Sequence, residues 1–292
     1  MFLYHSFAEL IEKANEQDIK ISELVLADQA EFMEISQDEV FSRMKNSFDI
    51  MRRSATKGLR PDIRSVSGLS GGDGHKMHQF AAASGGIGGF FCTKASALAI
   101  GIQEYNAAMG KIVAAPTAGA CGILPAGVIT YMEEKKLSEE MAVMALITAG
   151  AIGMVIVNRA TVSGAEGGCQ AECGSAAAMT AGALVEMAGG TNEMIAHAAA
   201  IALKNQLGLV CDPVAGLVEV PCIKRNAGGI MIAIGAADMA LAGIQSVIPV
   251  DEVITAMGDV GASLPHTLRE TALGGLAATP TGMAIKERIF GK

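Results

Sequence analysis

The chain comprises 292 residues with a formal charge of -8, a balance that argues against nucleic acid or an anionic membrane as its main partner. Its six cysteines are too few and too irregularly spaced for a secreted disulfide scaffold. The opening MFLYHSFAELIEKANEQD offers no basic leader and no apolar stretch of signal-peptide length, so the expected location is the cytoplasm, with thiols reduced and available to metal.

Apolar residues make up 51% of the chain, yet only 4% are aromatic and none is Trp. Ala, Gly and Met supply the bulk, which suits helices packed backbone to backbone with Met filling irregular gaps. The expected fold is all-α: a single large domain of many packed helices. Residues 1–60 form its N-terminal helical region, and residues 61–292 carry the glycine-rich loops and the cysteines.

In chain order, Ser6-Phe7-Ala8-Glu9 and Ser36-Gln37-Asp38-Glu39 read as capping boxes, each a Ser with a Glu three residues on. Phe41, Met44, Phe48 and Met51 recur at helical spacing and predict an amphipathic helix ending around Ser54–Gly58, stopped by Arg60-Pro61. From Val66 the texture changes. Ser67–Gly74 and Ser84–Gly89 read as loops, without the spacing that cradles a dinucleotide and without a Walker lysine. The apolar runs that follow are long and Ala-rich, unlike the short β-branched runs of βαβ units. Ser138 begins one helix; Gly189-Gly190 ends another, Thr191 caps its successor and Gly208 ends that one. Pro249 and Asp251 open the last part. Ten or so helices are expected, several buried all round. Met141–Val157 is uncharged and close to spanning length, and Asn226–Val250 is nearly as apolar, so a helical membrane protein is a rival reading. Neither run carries an aromatic belt or basic flank, which favours buried helices.

The cysteines sort by surroundings. Cys92 falls in GGFFCTKASALAI, within a helix, as an inert packed thiol would. Cys121 lies in a Pro- and Gly-bounded segment. Cys169 and Cys173 are four apart, on one face if that segment is helical. Cys211 precedes Asp212-Pro213 and Cys222 follows Pro221, so both are expected in one irregular loop between a helix ending at Gly208 and another beginning near Asn226. The five His stand apart from these cysteines and compact zinc knuckles are missing. Thiolates on separate loops without His point toward an iron–sulfur centre.

Three segments, APTAGACGILPAG, GAEGGCQAECG and CDPVAGLVEVPCIKRNA, resemble in order and spacing the signature segments of the iron–sulfur L-serine dehydratases. The resemblance covers about Ser65 to Gly282. It implies an all-helical catalytic domain over residues 61–292 in which Cys169, Cys211 and Cys222 hold a [4Fe–4S] cluster, with Cys121 and Cys173 nearby but not ligands. It further implies a cytoplasmic lyase of amino-acid degradation and gluconeogenesis. Such an enzyme converts L-serine to pyruvate and ammonia through one open iron, without pyridoxal phosphate. Ser65, Ser67 and Thr117 resemble substrate-contact positions, their hydroxyls and neighbouring amides holding the substrate carboxylate. Arg225-Asn226 would pair with substrate or cap a helix.

The base that removes the Cα proton is not identified by the sequence; His75 and His78 sit in a suitable loop. Lys94 and Lys224 are not needed as Schiff-base lysines. Single-chain relatives carry a preceding domain and a C-terminal Cys, and this chain lacks both. The expectation is therefore an alpha subunit acting with a separate beta subunit in a hetero-oligomer. The rival functions are an iron–sulfur electron-transfer subunit, which a fourth essential Cys would favour, and a non-enzymatic scaffold with packing cysteines.

Overall fold

Hydroxyl caps set the helix starts. In the computed structural model, which describes residues 4–291, Ser6 accepts from the Glu9 amide (3.0 Å) at the head of α1 (Phe7–Glu16). After α2 (Ile21–Met33), Ser36 does the same for the Glu39 amide (3.1 Å) at the head of α3 (Gln37–Gly58). Only the Ser half of each expected capping box forms. Glu9 turns back to the His5 amide, and Glu39 pairs with Arg43 one turn on.

α4 (Asp73–Ser84) begins inside the stretch expected to be loop, because the Glu104 carboxylate accepts from both the Asp73 and Gly74 amides (3.0 Å each) and so caps the helix from α5 (Gly89–Ala107). α6 (Ile123–Lys135), α7 (Glu139–Arg159), the single turn α8 (Gly164–Gly167), α9 (Ser175–Met187) and α10 (Asn192–Lys204) follow. Ser138 and Thr191 cap α7 and α10 as expected. The chain closes with α11 (Cys222–Leu241), α12 (Val250–Ser263) and α13 (Pro280–Phe290). Among the described residues there is no strand, only an isolated parallel bridge between Cys211 and Arg269. The expected all-α class is the observed one.

α9 is the hub. Every one of its residues is buried, and α6, α7, α10 and α11 surround it. Its sequence, SAAAMTAGALVEM, explains this: small side chains admit neighbours on all sides, so burial comes from close approach rather than from one large apolar face. The same device joins α3 to α5, where a Cβ on Gly58 would fall 2.1 Å from the Gly101 carbonyl oxygen. Tyr4, Phe7 and Leu10 are fully buried, and Asp251 on α12 accepts from the Phe7 and Ala8 amides (2.8 and 3.1 Å), tying α1 to the end of the chain. α7 is the one described helix long and apolar enough to cross a membrane, and 67% of its most apolar window is buried inside the protein, as in a core helix. The second apolar run breaks where α11 ends at Leu241.

Candidate active site

The segment from Gly164 to Gly174 is shaped by its glycines. α8 stops at Gly168, whose φ of +75° lies in the left-handed region and where a Cβ would also press on Leu264 (2.6 Å) and the Leu209 carbonyl (3.0 Å). Cys169 follows, then one widened π turn, Gln170–Gly174, feeds α9. That turn sets the Cys169 and Cys173 sulfurs 3.4 Å apart. Cys211 is fixed in extended chain by the bridge to Arg269, its amide donating to Leu268 (2.9 Å) and its carbonyl accepting from Glu270 (2.8 Å). Cys222 is not in the preceding loop, as its place after Pro221 suggested. It is the first residue of α11, which starts four residues before Asn226 because the Pro221 carbonyl accepts from the Arg225 amide and closes the first turn.

Cys169, Cys211 and Cys222 are buried; charge on Cys169 bears on both of the others, and charge on Cys222 bears on Cys211. Burial pushes the Cys211 thiol up strongly, reinforced by Glu172, and raises Cys222 to about 12. Cys169 is shifted the other way, chiefly by its contact with Cys173 and also by Arg225, while Cys173 is held well above the usual thiol range by the same contact. Arg225 lies against Cys169 and is anchored by the Val210 carbonyl and Asp212 (2.8 Å each). Asn226 accepts from the Gly122 amide (2.9 Å) and donates to the Gly119 and Cys222 carbonyls (2.8 Å each). Neither side chain of the Arg225-Asn226 pair is spare.

Two carboxylates escaped the sequence reading. Glu172 lies between the cysteines of GGCQAEC. It accepts from Thr117 Oγ1 (2.6 Å) and from the Cys211 thiol (3.8 Å), and burial, with Glu270 nearby, raises its pKa. It lines a cavity of about 470 Å³ together with Thr117, Ser163, Gly164 and Glu270. Glu219, between Cys211 and Cys222, accepts from the Ser67 and Ser70 hydroxyls (2.7 Å each), while Ser65 Oγ contacts Ser67 Oγ (3.2 Å) and accepts from the Ser70 amide. Thr117 is thus joined to Cys211 through Glu172, and Ser65 and Ser67 are joined to the Cys211–Cys222 segment through Glu219. The hydroxyl protons of Ser67 and Thr117 already point at protein carboxylates; Ser67 Oγ also accepts from the Leu69 amide and meets Ser65 Oγ, so Thr117 alone of the two keeps lone pairs as free hydrogen-bonding capacity. A lone acid within a run of small and apolar residues is the signal that would have exposed both Glu172 and Glu219.

The other singled-out residues lie elsewhere. His75 and His78 are on α4 rather than in a loop, and His75 Nδ1 is bonded to the Leu59 carbonyl (2.9 Å). Lys94 pairs with Glu133 and Glu134, and Lys224 with Asp73. Cys92 is half-buried on α5; Cys121 is fully buried, its thiol bonded to Gln103 and pushed up to about 12 by burial.

Among the described residues, no three His, Cys, Asp or Glu side chains converge on one point as ligands of a single metal ion do. A cubane cluster makes a different demand: each thiolate binds a different iron, so the ligands surround a volume. Gly164 leaves room beside one of the thiols, since a Cβ there would reach to 3.2 Å from the Cys211 sulfur and 2.6 Å from Glu172. A buried all-thiol donor set, a glycine that clears room beside one thiol and a single nearby guanidinium suit an anionic cluster.

Fold and site define an all-helical protein with buried thiols at the turn into α9, at the Cys211–Arg269 bridge and at the head of α11. The chain belongs to the serine dehydratase alpha chain family, whose pattern matches residues 16–277. It is 48% identical over 289 residues to the probable L-serine dehydratase alpha chain of Bacillus subtilis, spanning 99% of this chain and 96% of that one. It is 47% identical over 278 residues to the L-serine dehydratase alpha chain of Peptoniphilus asaccharolyticus, spanning 95% of both. The L-serine dehydratase of Streptomyces coelicolor is 38% identical over 278 residues, a match that covers 92% of this chain but 59% of that longer protein.

Proposed function

We propose that this chain is the catalytic alpha chain of a two-chain L-serine dehydratase, a lyase that converts L-serine to pyruvate and ammonia. The observation that carries the reading is the near-complete match to two alpha chains of that name. In support, Cys169 and Cys222 lie near enough for their charge to act on the buried Cys211. Cys169, Cys211 and Cys222 are the residues proposed to hold a [4Fe–4S] cluster. Bound by three thiolates, such a cluster keeps one iron open as a Lewis acid for a departing hydroxyl.

The chain's own groups do the rest. Arg225 offsets negative charge at Cys169 and keeps the Val210–Asp212 segment in place. Thr117, with its proton committed to Glu172, offers lone pairs suited to the substrate ammonium, while the substrate carboxylate calls on backbone amides; Ser67, saturated by Glu219, Ser65 and the Leu69 amide, holds the shape of its loop. Loss of water from the Cα–Cβ bond gives aminoacrylate; its imine tautomer takes up water and releases ammonium and pyruvate. No lysine is required for this sequence, and Lys94 and Lys224 are occupied in ion pairs. The unmatched part of the Streptomyces coelicolor protein supports a separate beta chain as partner. The enzyme so proposed is a cytoplasmic one of amino-acid degradation whose pyruvate is available to gluconeogenesis.

The test is to purify and reconstitute the chain without oxygen and count iron and acid-labile sulfide. About four irons per chain are expected. They should be lost in Cys169→Ala, Cys211→Ala and Cys222→Ala, and retained in Cys92→Ala and Cys173→Ala. Retention in Cys211→Ala or Cys222→Ala would refute the ligand set. Loss in Cys173→Ala as well would point to a four-thiolate electron-transfer centre, given how close that sulfur lies to Cys169.

A further inference from the structure

A second feature lies far from the cysteines. A cavity of about 770 Å³ opens between α2, α3, the start of α7 and the end of α9. At its wall stands Glu186, only 5% exposed and the single acid of the otherwise apolar hub helix. From Ser175, beside the cysteine turn, to Glu186 the helix rises about 16 Å.

Glu186 is incompletely satisfied. Thr148 donates to Oε2, but among the described residues no hydrogen bond reaches the other oxygen and no Lys or Arg forms an ion pair with it. Ser22 Oγ, 1% exposed, lies near enough to the same carboxyl to draw its pKa down and lines the same cavity, yet no partner meets it in hydrogen-bonding geometry. Lys20 acts on Glu186 from across the cavity without forming an ion pair; a buried carboxylate with no cation in contact and a buried hydroxyl with no bonded partner are each costly, and here they are neighbours facing one space. The rim carries Glu23, Asp38, Glu139 and Glu140 against Lys20 and Lys45, an excess of acid, and the wall between is apolar, with Leu26, Phe41 and Met144.

We infer that this cavity binds an aliphatic primary ammonium ligand through Glu186 and Ser22. A primary ammonium carries three N–H donors on one charged atom: one meets the free Glu186 oxygen and one meets Ser22 Oγ. Its alkyl body lies along the apolar wall, and the acidic rim favours entry of a cation. The shift of the Glu186 carboxyl above the usual carboxylate range, caused first by burial, agrees with a group that lacks its counter-ion. The N-terminal helices, bland as sequence, thereby form half of a binding site separate from the cysteines.

The probe is n-butylammonium chloride, titrated calorimetrically into the full chain at fixed ionic strength, with n-butanol and tetramethylammonium chloride as comparisons. Saturable binding of one n-butylammonium per chain is expected, weakened at least tenfold in Glu186→Gln and severalfold in Ser22→Ala. Neither n-butanol, which lacks the charge, nor tetramethylammonium, which lacks N–H donors, should bind. The inference is overturned if n-butylammonium gives no saturable heat or if tetramethylammonium binds as tightly. It is overturned equally by wild-type affinity in Ser22→Ala, a readout that stands even where Glu186→Gln does not fold.

Discussion

Glu219→Gln isolates the charge that holds the serine loop to the cysteine segment. The substitution keeps volume and shape while removing the negative charge that receives two hydroxyl bonds at 2.7 Å. Hydrogen bonds to an ionised acceptor are worth about 1.5–3 kcal/mol each, against about 1 kcal/mol for neutral ones. The glutamine oxygen still accepts one hydroxyl, and its NH2 forces the other to turn around. The expected loss is therefore roughly 2 kcal/mol, which at 1.36 kcal/mol per tenfold change is about 30-fold in the opening equilibrium of the loop. Because the Leu69 amide donates to Ser67 Oγ and the Ser70 amide to Ser65 Oγ, these two amides report on the opening directly. Hydrogen exchange on the full chain, read by mass spectrometry over residues 65–72, should quicken by that factor while α9 stays protected. Exchange of Leu69 and Ser70 within threefold of the native rate would refute the claim that Glu219 holds the loop.

Two further outcomes follow from packing and burial. Gly58→Ala raises helix propensity, yet its Cβ would lie 2.1 Å from the Gly101 carbonyl oxygen where α3 crosses α5; a loss of about 3 kcal/mol is expected, and an unchanged urea midpoint would show that the helices part freely. Glu186→Gln tests the hub acid by pH in amine-free buffer. Burial raises the native pKa, against the pull of Ser22, Thr148 and Lys20 and with a small push from Glu23. Between the ordinary carboxylate range and that raised value the folded state therefore holds a proton that the unfolded state releases. Its contribution is fully present in acid and is lost as pH rises through the native pKa. The variant should gain stability relative to the native chain as pH rises from 4 to 8, and parallel stability curves would contradict the assignment.

Much of the architecture was legible because helix starts are chemically marked. Ser6, Ser36, Ser138 and Thr191 each cap the helix their position predicts. The misreadings arose where the deciding group is distant in sequence. α4 starts early because Glu104 caps it from another helix, and no local pattern reveals that partner. α11 starts at Cys222 because a proline leads into the turn that its own carbonyl closes, so the residue that looked like loop is the helix's first. The site was legible as motifs but not as contacts. Ser65, Ser67 and Thr117 were visible as hydroxyls in conspicuous segments, whereas the carboxylates they meet, Glu172 and Glu219, are brought to them only by folding.

The placement of the cysteines at turns has a structural cost that the fold meets with buried amides. A turn inside an apolar interior leaves backbone groups unpaired. Gln170, fully buried, donates to the Gly167 and Met257 carbonyls (2.9 and 3.0 Å) and accepts from the Gly208 amide (2.9 Å). It thereby ties the Cys169 turn to α12 and to the approach to Cys211. Asn226, also fully buried, does the same for the segments of Cys121 and Cys222. Gln103 adds a link from the Cys121 thiol to the Val218 carbonyl (3.0 and 3.3 Å). A β-sheet would satisfy such backbone groups by itself, but it would set the thiols along strands in parallel rows. Amide side chains instead let segments from different parts of the chain arrive from different directions and still leave few polar groups unpaired.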